Sequence, residues 1–401
     1  MRLLSLYFHP DIATTGQLLT ELAAGLTEKG IAVQAITAQP TYEKNTAPRR
    51  ETYRGVDIRR VWSTQLNKNS FLGKVVNSLS FFFSALAAVL FSRDRTPLLI
   101  VSNPPFLPLI GAVSNLLQGT QFIFLVHDVY PDIAVRLEYL KKGGVIHRVW
   151  NAVNKLILKR ASSIIVLSST MKEQIRHKFT PKMGTPPPID VIHNWADGEF
   201  LRPVAREANE FLRSNNLLSK FVVQYSGNHG LFHKLETVIL SAEHCSDRDI
   251  TFLFIGDGGK KPLLVQMAGE RHLDNVVFLP YQKFDMLPQS LTAASVAIVT
   301  LEENIEGLAM PSKLYSILAS GTPVIALCDA DSSVAEIIRS AKCGFVVSQG
   351  DAEGLLAAIV SLKADDALRC SLAANARRYF EDHFTFPIAL DQYRSVIERV
   401  L

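Results

Sequence analysis

The sequence predicts an α/β protein of two tandem doubly wound domains, and three observations predict it. The chain has 401 residues, beyond the roughly 250–300 at which a single core stops growing. Apolar strand-like runs alternate with helix-like runs along nearly its whole length, the pattern of an open parallel sheet with helices on both faces. That alternation breaks once, in the polar stretch from Asn194 to Lys220, which carries no strand signal.

The first series reads as a strand at residues 3–8, a helix at about 15–29 and strands at 33–37 and 56–61. An apolar helix at 71–91 and strands at 98–102, 122–126, 164–167 and 191–194 follow, with an amphipathic helix at about 145–160 before the third of these. Several of the strands are unbroken apolar runs, as in parallel strands covered on both faces. The second series opens at Phe221-Val-Val-Gln-Tyr-Ser-Gly. It continues with strands at 251–256, 276–280, 296–300, 323–327 and 344–348 and ends on an amphipathic helix at 386–401. Two such domains leave a cleft between the carboxyl ends of their sheets, where open α/β sheets bind ligands.

Hydrophobic residues make up 48% and charged residues 20% of the chain, which excludes disorder. A net charge of +4 is too mild for nucleic-acid binding and suits an anionic small molecule or an anionic membrane surface. Cys245, Cys328, Cys343 and Cys370 form no C-x-x-C pair, so they read as thiols in a reducing compartment, without a zinc site or a disulfide framework. The apolar run at the N-terminus is short for a signal peptide and reads as the first strand. Lys74, Asn77, Ser78, Ser80 and Ser84 interrupt the 71–91 segment, which reads as a buried or interfacial helix and not as a span.

Chemistry is expected in loops that follow strands. Residues 10–16 end in Gly16, where a helix start offers free N–H groups to an anion; a G-x-G-x-x-G dinucleotide signature is absent. His127-Asp-Val-Tyr-Pro-Asp follows an unbroken apolar strand, and His127 could meet a sugar hydroxyl or a developing charge. Tyr225-Ser-Gly227-Asn228-His-Gly, with Lys234 near a helix start, suits a diphosphate cradle. In Gly256-Asp257-Gly-Gly the glycines permit close approach and Asp257 could face a ligand. The segment from Glu302 to Tyr315 joins an acidic loop to a helix expected to start near Pro311, with Ser312 and Lys313 offering N–H groups and a charge to phosphate. Its three glutamates would repel a diphosphate unless turned to other partners, such as sugar hydroxyls.

The run Met310-Pro-Ser-Lys-Leu-Tyr-Ser-Ile-Leu-Ala-Ser-Gly-Thr-Pro-Val-Ile-Ala resembles the donor-site helix of family 4 glycosyltransferases of the GT-B fold. It is most similar to the branch that assembles bacterial exopolysaccharides of the colanic-acid type, and the Tyr225, Gly256 and His127 segments fit the same branch. The resemblance implies two Rossmann-like domains. Residues 1–195, joined by a crossover helix at 384–401, would bind the acceptor, and residues 196–383 the nucleotide-sugar. It implies retaining transfer without a metal or cofactor, by front-face departure of the diphosphate. Lys313, Ser312 and Lys234 would hold the diphosphate, Tyr281 and Gln282 would lie by the base, and His127 and Glu306 would touch the donor sugar. The family's pair of glutamates eight positions apart is replaced here by Leu308 and Ser316.

The expected function is retaining transfer of a hexose from a UDP-sugar to a saccharide or lipid-linked saccharide acceptor in exopolysaccharide biosynthesis. A UDP-sugar 2-epimerase and a catalytically silent nucleotide-sugar-binding protein are the alternatives. Lys141, Lys142, Arg148, Lys155, Lys159 and Arg160, around one helix, and the 71–91 segment predict a cytoplasmic protein held peripherally on an anionic inner membrane face.

Overall fold

The structure, a computed structural model, describes residues 1–11, 13–40, 46–67, 70–230 and 233–401, the Phe71 side chain excepted. Ile12 of the first strand-to-helix loop and residues 231–232 before Lys234 therefore lie outside the described residues. The chain divides into two compact units, Met1–His193 with Ala389–Leu401, and Asn194–Ile388.

The first unit runs β1 (Arg2–Leu4), α1 (Thr14–Glu28), β2 (Gln34–Thr37), β3 (Arg50–Tyr53), β4 (Val56–Arg60), α2 (Phe71–Leu90), β5 (Leu98–Val101) and α3 (Leu109–Gln118). It continues with β6 (Phe122–Val126), α4 (Asp132–Arg136), α5 (Val145–Arg160), β7 (Ser163–Val166), α6 (Ser169–His177) and β8 (Ile189–Val191). The sheet order is β3-β4-β2-β1-β5-β6-β7-β8, parallel except for β3 against β4. The central strands Leu-Leu-Ile-Val and Phe-Ile-Phe-Leu-Val are buried throughout, which is why their apolar runs are unbroken.

Three strand readings are corrected. β1 stops at Leu4 because the chain turns, with the Ser5 hydroxyl donating to Tyr7 O at 2.8 Å and Asp11 N–H to Phe8 O at 2.9 Å. β8 ends at Val191, earlier than the run 191–194 suggests. β3 has no apolar signal because it pairs only with β4, through a two-residue turn at Arg54 and Gly55 with φ of 48° and 80°.

α2 is half in the core. Phe81, Ala85 and Val89 are buried along one stripe. Asn77 on that side accepts from Thr64 Oγ1 at 2.7 Å and Leu66 N at 2.9 Å and donates to Leu66 O at 2.9 Å, so the residue that interrupts the apolar run is satisfied. On the opposite stripe Leu72, Val75, Val76, Leu79 and Phe83 are exposed. α3 lies between α2 and α5. Gly111 lets it sit close to β6, since a Cβ there would come within 2.6 Å of the Phe122 ring.

The second unit runs α7 (Glu210–Ser214), β9 (Phe221–Ser226), α8 (Glu236–His244), β10 (Ile250–Ile255), α9 (Lys261–Glu270), β11 (Val276–Leu279), α10 (Leu287–Leu291) and β12 (Val296–Thr300). Then come α11 (Lys313–Ala319), β13 (Val324–Leu327), α12 (Ser333–Ala341), β14 (Gly344–Val347), α13 (Ala352–Ala364) and α14 (Asp366–His383); α15 (Phe386–Glu398) begins in this unit and belongs to the first from Ala389 on. The sheet is parallel, in the order β11-β10-β9-β12-β13-β14. Its core gathers Tyr225, Ile239, Phe252 and Phe254, with Phe254 stacked on Phe278 at 5.0 Å. The chain leaves this unit at Ala389 and not at residue 384. Phe384 packs edge-on against Tyr315 at 5.0 Å and Phe386 lies 5.4 Å from Trp195, which keeps both residues here. α15 ends at Glu398, before the expected 401.

Removing the Phe254 ring leaves a cavity in a closed core. Phe254→Ala is expected to destabilise the second unit by about 3–5 kcal/mol, whereas Leu79→Ala on the exposed stripe should stay within about 0.5 kcal/mol. Urea unfolding of the two variants checks the contrast.

Candidate functional site

The strand order of the second unit reverses between β9 and β12, and ligands of open α/β sheets bind outside the carboxyl ends at such a point. The loops after β9, β10 and β11 are laced there by backbone bonds. Gly227 N–H donates to Ile255 O at 2.9 Å, His229 N–H to Asp257 O at 2.8 Å and Gly256 N–H to Leu279 O at 3.0 Å. Glycine is required at this crossing. Gly256 has φ of 132° and a Cβ there would stand 2.0 Å from Gly227 O; Gly258 has φ of 153° and a Cβ would meet Asn228 Oδ1 at 2.5 Å. Asp257 spends Oδ1 on Gly258 N–H at 2.8 Å. The exposed Tyr281 covers Gly256 and its hydroxyl donates to Asp257 O at 3.4 Å, while the half-buried Gln282 donates from its amide to Pro280 O at 2.8 Å.

Across the reversal stands α11. It begins at Lys313 with Ser312 at its cap, so Pro311 precedes the helix instead of opening it; a turn closed by Leu314 N–H to Pro311 O at 3.2 Å takes its place. The Lys313 ammonium donates to the Tyr225 hydroxyl and lies 3.7 Å from the centre of that ring, a cation–π geometry. It also lies 3.6 Å from where a Gly227 Cβ would be. Burial lowers the Lys313 pKa to about 7 and raises that of Tyr225. Ser316, one turn along α11, is half-buried.

The glutamates of the loop after β12 do not crowd this spot. Glu302 pairs with Lys260 and faces Lys234 at 3.8 Å. Glu306, expected at the donor sugar, accepts through Oε1 from Ser333 N–H at 3.0 Å, in the first turn of α12. Glu303 lines a cavity of about 480 Å³ with Asn304, Asp329, Asp331, Ser348 and Gln349. Lys234 stands two residues before α8 and not in its first turn. The sequence reading missed Lys260, whose ammonium also reaches Glu236 at 2.9 Å and His233 O at 2.9 Å. Its place directly after Gly-Asp-Gly-Gly was the available signal; Glu236 offered none. His229 and His233 were missed as well. Burial, with Lys261 and Lys313 nearby, lowers His229 to about 4; burial, with Lys313 and Lys260 nearby, lowers His233 to about 2.

In the first unit, His127 follows β6. Its N–H and that of Asp128 both donate to Ser102 Oγ, at 3.0 and 3.1 Å, which pins the loop to the end of β5. Burial lowers His127 to about 4 and raises Asp128 to about 6. Gly16 lies inside α1, and a Cβ there would come 3.3 Å from the Tyr7 and Phe8 backbone, so its smallness serves close packing of helix on loop. The structure thus gathers Gly227, Asn228, Lys234, Gly256, Asp257, Tyr281, Ser312 and Lys313 at one sheet edge of the second unit, while His127 and Gly16 belong to the first.

Residues 209–379 match the model of glycosyl transferases group 1, and residues 14–195 match that of the glycosyl transferase 4-like domain. The chain belongs to the group 1 glycosyltransferases. Among relatives of this glycosyltransferase, the probable glycosyltransferase WbjE of Pseudomonas aeruginosa is 27% identical, over 84% of this chain and 82% of that one. WcaI of Escherichia coli K12, named for glycosyl transfer in colanic acid biosynthesis, is 26% identical over 83% and 84%. The fold is GT-B. Sucrose-phosphate synthase of Thermosynechococcus elongatus superposes with a TM-score of 0.80 at 17% identity, covering 100% of this chain and 98% of that one. HepE of Anabaena, solved with UDP, gives 0.74 at 15%, covering all of both chains.

Gly256→Ala is expected to part the laced loops. Strain of about 1–3 kcal/mol at such a backbone position should speed amide hydrogen exchange at Gly227 and His229 roughly tenfold or more, while the amides of β13 keep their rate.

Proposed function

We propose that this group 1 glycosyltransferase moves a hexose, with retention, from a UDP-sugar to a saccharide or lipid-linked saccharide acceptor in exopolysaccharide biosynthesis. The observation that carries the reading is the Lys313 ammonium at the β9/β12 reversal, beside the glycine-laced loops. A diphosphate needs a cation in a poorly solvated place and backbone that it can approach closely, and both are present. Lys313, Ser312 and Lys234 would hold the diphosphate, with Tyr281 and Gln282 by the base. UDP as the nucleotide is supported by HepE, solved with UDP, and the exopolysaccharide setting by the name of WcaI.

In the proposed reaction the bond from the anomeric carbon to the diphosphate breaks, and the acceptor oxygen bonds that carbon on the same face. A diphosphate oxygen takes the acceptor's proton. The positive charge that steadies the leaving group is assigned to Lys313 and Lys234, so no metal enters. His127, kept neutral by burial, would exchange hydrogen bonds with a sugar hydroxyl. The protein would work in the cytoplasm, peripherally on the inner membrane face.

A silent nucleotide-sugar-binding protein is favoured by one feature, Leu308 and Ser316 in place of the family's glutamate pair, with Glu306 tied to Ser333. Turnover separates it, and the 2-epimerase, from the transferase: UDP release that depends on acceptor, isomerised donor, or binding alone. A thermal-shift screen of nucleoside diphosphates and their sugars tests the donor, since the tightest ligand raises the melting temperature most.

Lys313→Ala is expected to weaken UDP binding by about 1.5–3 kcal/mol, read by calorimetry; an unchanged affinity would remove Lys313 from the site. With a pKa of about 7 in the free protein, Lys313 is mostly neutral at pH 8, and a bound diphosphate favours its charged form. UDP binding at that pH should therefore take up protons, and affinity should rise as pH falls from 9 towards 7. Calorimetry in two buffers of different ionisation heat measures the uptake, which Lys313→Ala should abolish. His127→Ala should lower turnover far more than UDP affinity; equal losses would place His127 with the diphosphate instead.

A further inference from the structure

A nucleotide donor has a ribose between its diphosphate and its base. The diphosphate is assigned above to Lys313, Ser312 and Lys234 and the base to Tyr281 and Gln282. The strand order and one carboxylate point to the residue that meets the ribose.

The order β11-β10-β9-β12 sets the loop after β10 between the loop of Tyr281 and the edge that carries Lys313. A continuous line of contacts crosses that interval. The Lys313 ammonium lies 3.6 Å from where a Gly227 Cβ would stand. A Gly256 Cβ would stand 2.0 Å from Gly227 O and 3.4 Å from the Tyr281 ring. A nucleoside diphosphate laid along this line, with phosphate at Lys313 and base at Tyr281, has its ribose over Gly256 and Asp257. With no Cβ at Gly256, the sugar can come close to the backbone.

Asp257 is held in place from both sides. Its carbonyl oxygen accepts from His229 N–H at 2.8 Å and from the Tyr281 hydroxyl at 3.4 Å. Its Oδ1 accepts from Gly258 N–H at 2.8 Å, which fixes the carboxylate. Its Oδ2 has no partner among the described residues, and the residue is exposed.

The other carboxylates of this edge lie elsewhere or have partners. Glu302 pairs with Lys260, and Glu306 accepts from Ser333 N–H. Glu303 lines the cavity shared with Asp329 and Asp331. Asp285 is exposed in the short helical turn Phe284–Met286, which follows Gln282. On α11, the half-buried Ser316 brings one neutral hydroxyl. A carboxylate is the acceptor that tells ribose from deoxyribose, because it takes a hydrogen bond that only the 2′-hydroxyl can give.

We propose that Asp257 reads the donor ribose through a hydrogen bond from its 2′-hydroxyl to Oδ2, so that sugars carried on ribonucleotides are selected over those carried on 2′-deoxyribonucleotides. This rests on the nucleotide-sugar reading above.

The test is calorimetry of the full chain with UDP and with 2′-deoxy-UDP. The wild type should bind UDP at least about tenfold more tightly, as for a hydrogen bond to a charged group. Asp257→Ala should bring the ratio of the two affinities close to one. Asp257→Asn keeps an oxygen for Gly258 N–H without the charge, and should retain a smaller preference. Ser316→Ala and Asp285→Asn should keep the wild-type ratio. The ratio is the readout because general damage to the loops would weaken both nucleotides alike. Three results overturn the proposal: the wild type does not favour UDP, Asp257→Ala keeps the wild-type ratio, or the preference is lost in Ser316→Ala or Asp285→Asn. A wild type that binds neither nucleotide would instead remove the nucleotide-sugar reading, and this proposal with it.

Discussion

The contact between Lys313 and Tyr225 organises the second unit. The two residues stand 88 positions apart, on opposite sides of the strand reversal. A buried ammonium is tolerated only with a polar partner and a favourable ring face, and Tyr225 supplies both. The contact depends on α11 being fixed. Leu314, Tyr315 and Leu318 are buried beneath it, and Arg377 closes its far end by donating to Ala319 O at 2.6 Å while also reaching Leu201 O at 2.8 Å and Gly198 O at 3.0 Å. Three otherwise separate stretches of chain thus meet at one guanidinium, and the helix that carries Lys313 is held at both ends.

The charges around this contact explain how an acidic loop can border a phosphate-binding edge. Glu302 lies between Lys234 and Lys260, and Glu306 is drawn to the first amides of α12, where a helix start favours an anion. These two carboxylates are thereby matched locally, and Lys313 faces the tyrosine. Its pKa is depressed by burial, and an adjacent carboxylate would have opposed that shift.

In the first unit the corresponding constraint is α2. A helix that is apolar around most of its surface would ordinarily be buried all round. Here one stripe supports the sheet, with Asn77 satisfied by the chain at Thr64 and Leu66, and the other stripe faces outward. The fold therefore accounts for the buried stripe of α2 and leaves the other stripe exposed.

The sequence by itself determined the α/β class, the two alternating series and the loops in which polar chemistry collects. These follow from local rules, because short apolar runs such as Phe122–Val126 or Val296–Val299, alternating with segments of period 3.6, fit covered parallel strands between helices. It also singled out Lys313, Gly227 and Gly256, since glycine and lysine at strand ends carry their meaning in type and position. What it could not supply was pairing. β3 was invisible because an edge strand with one partner needs no apolar pattern. Glu236 looked like any surface charge until folding set it beside Lys260, which also pairs with Glu302. The contacts of Glu306 and Gly16 also came only with packing, which bonds the one to α12 and sets the other against Tyr7 and Phe8. Which face of α2 is bare was likewise decided by tertiary packing, because the two apolar stripes read alike in sequence and only one of them meets the core.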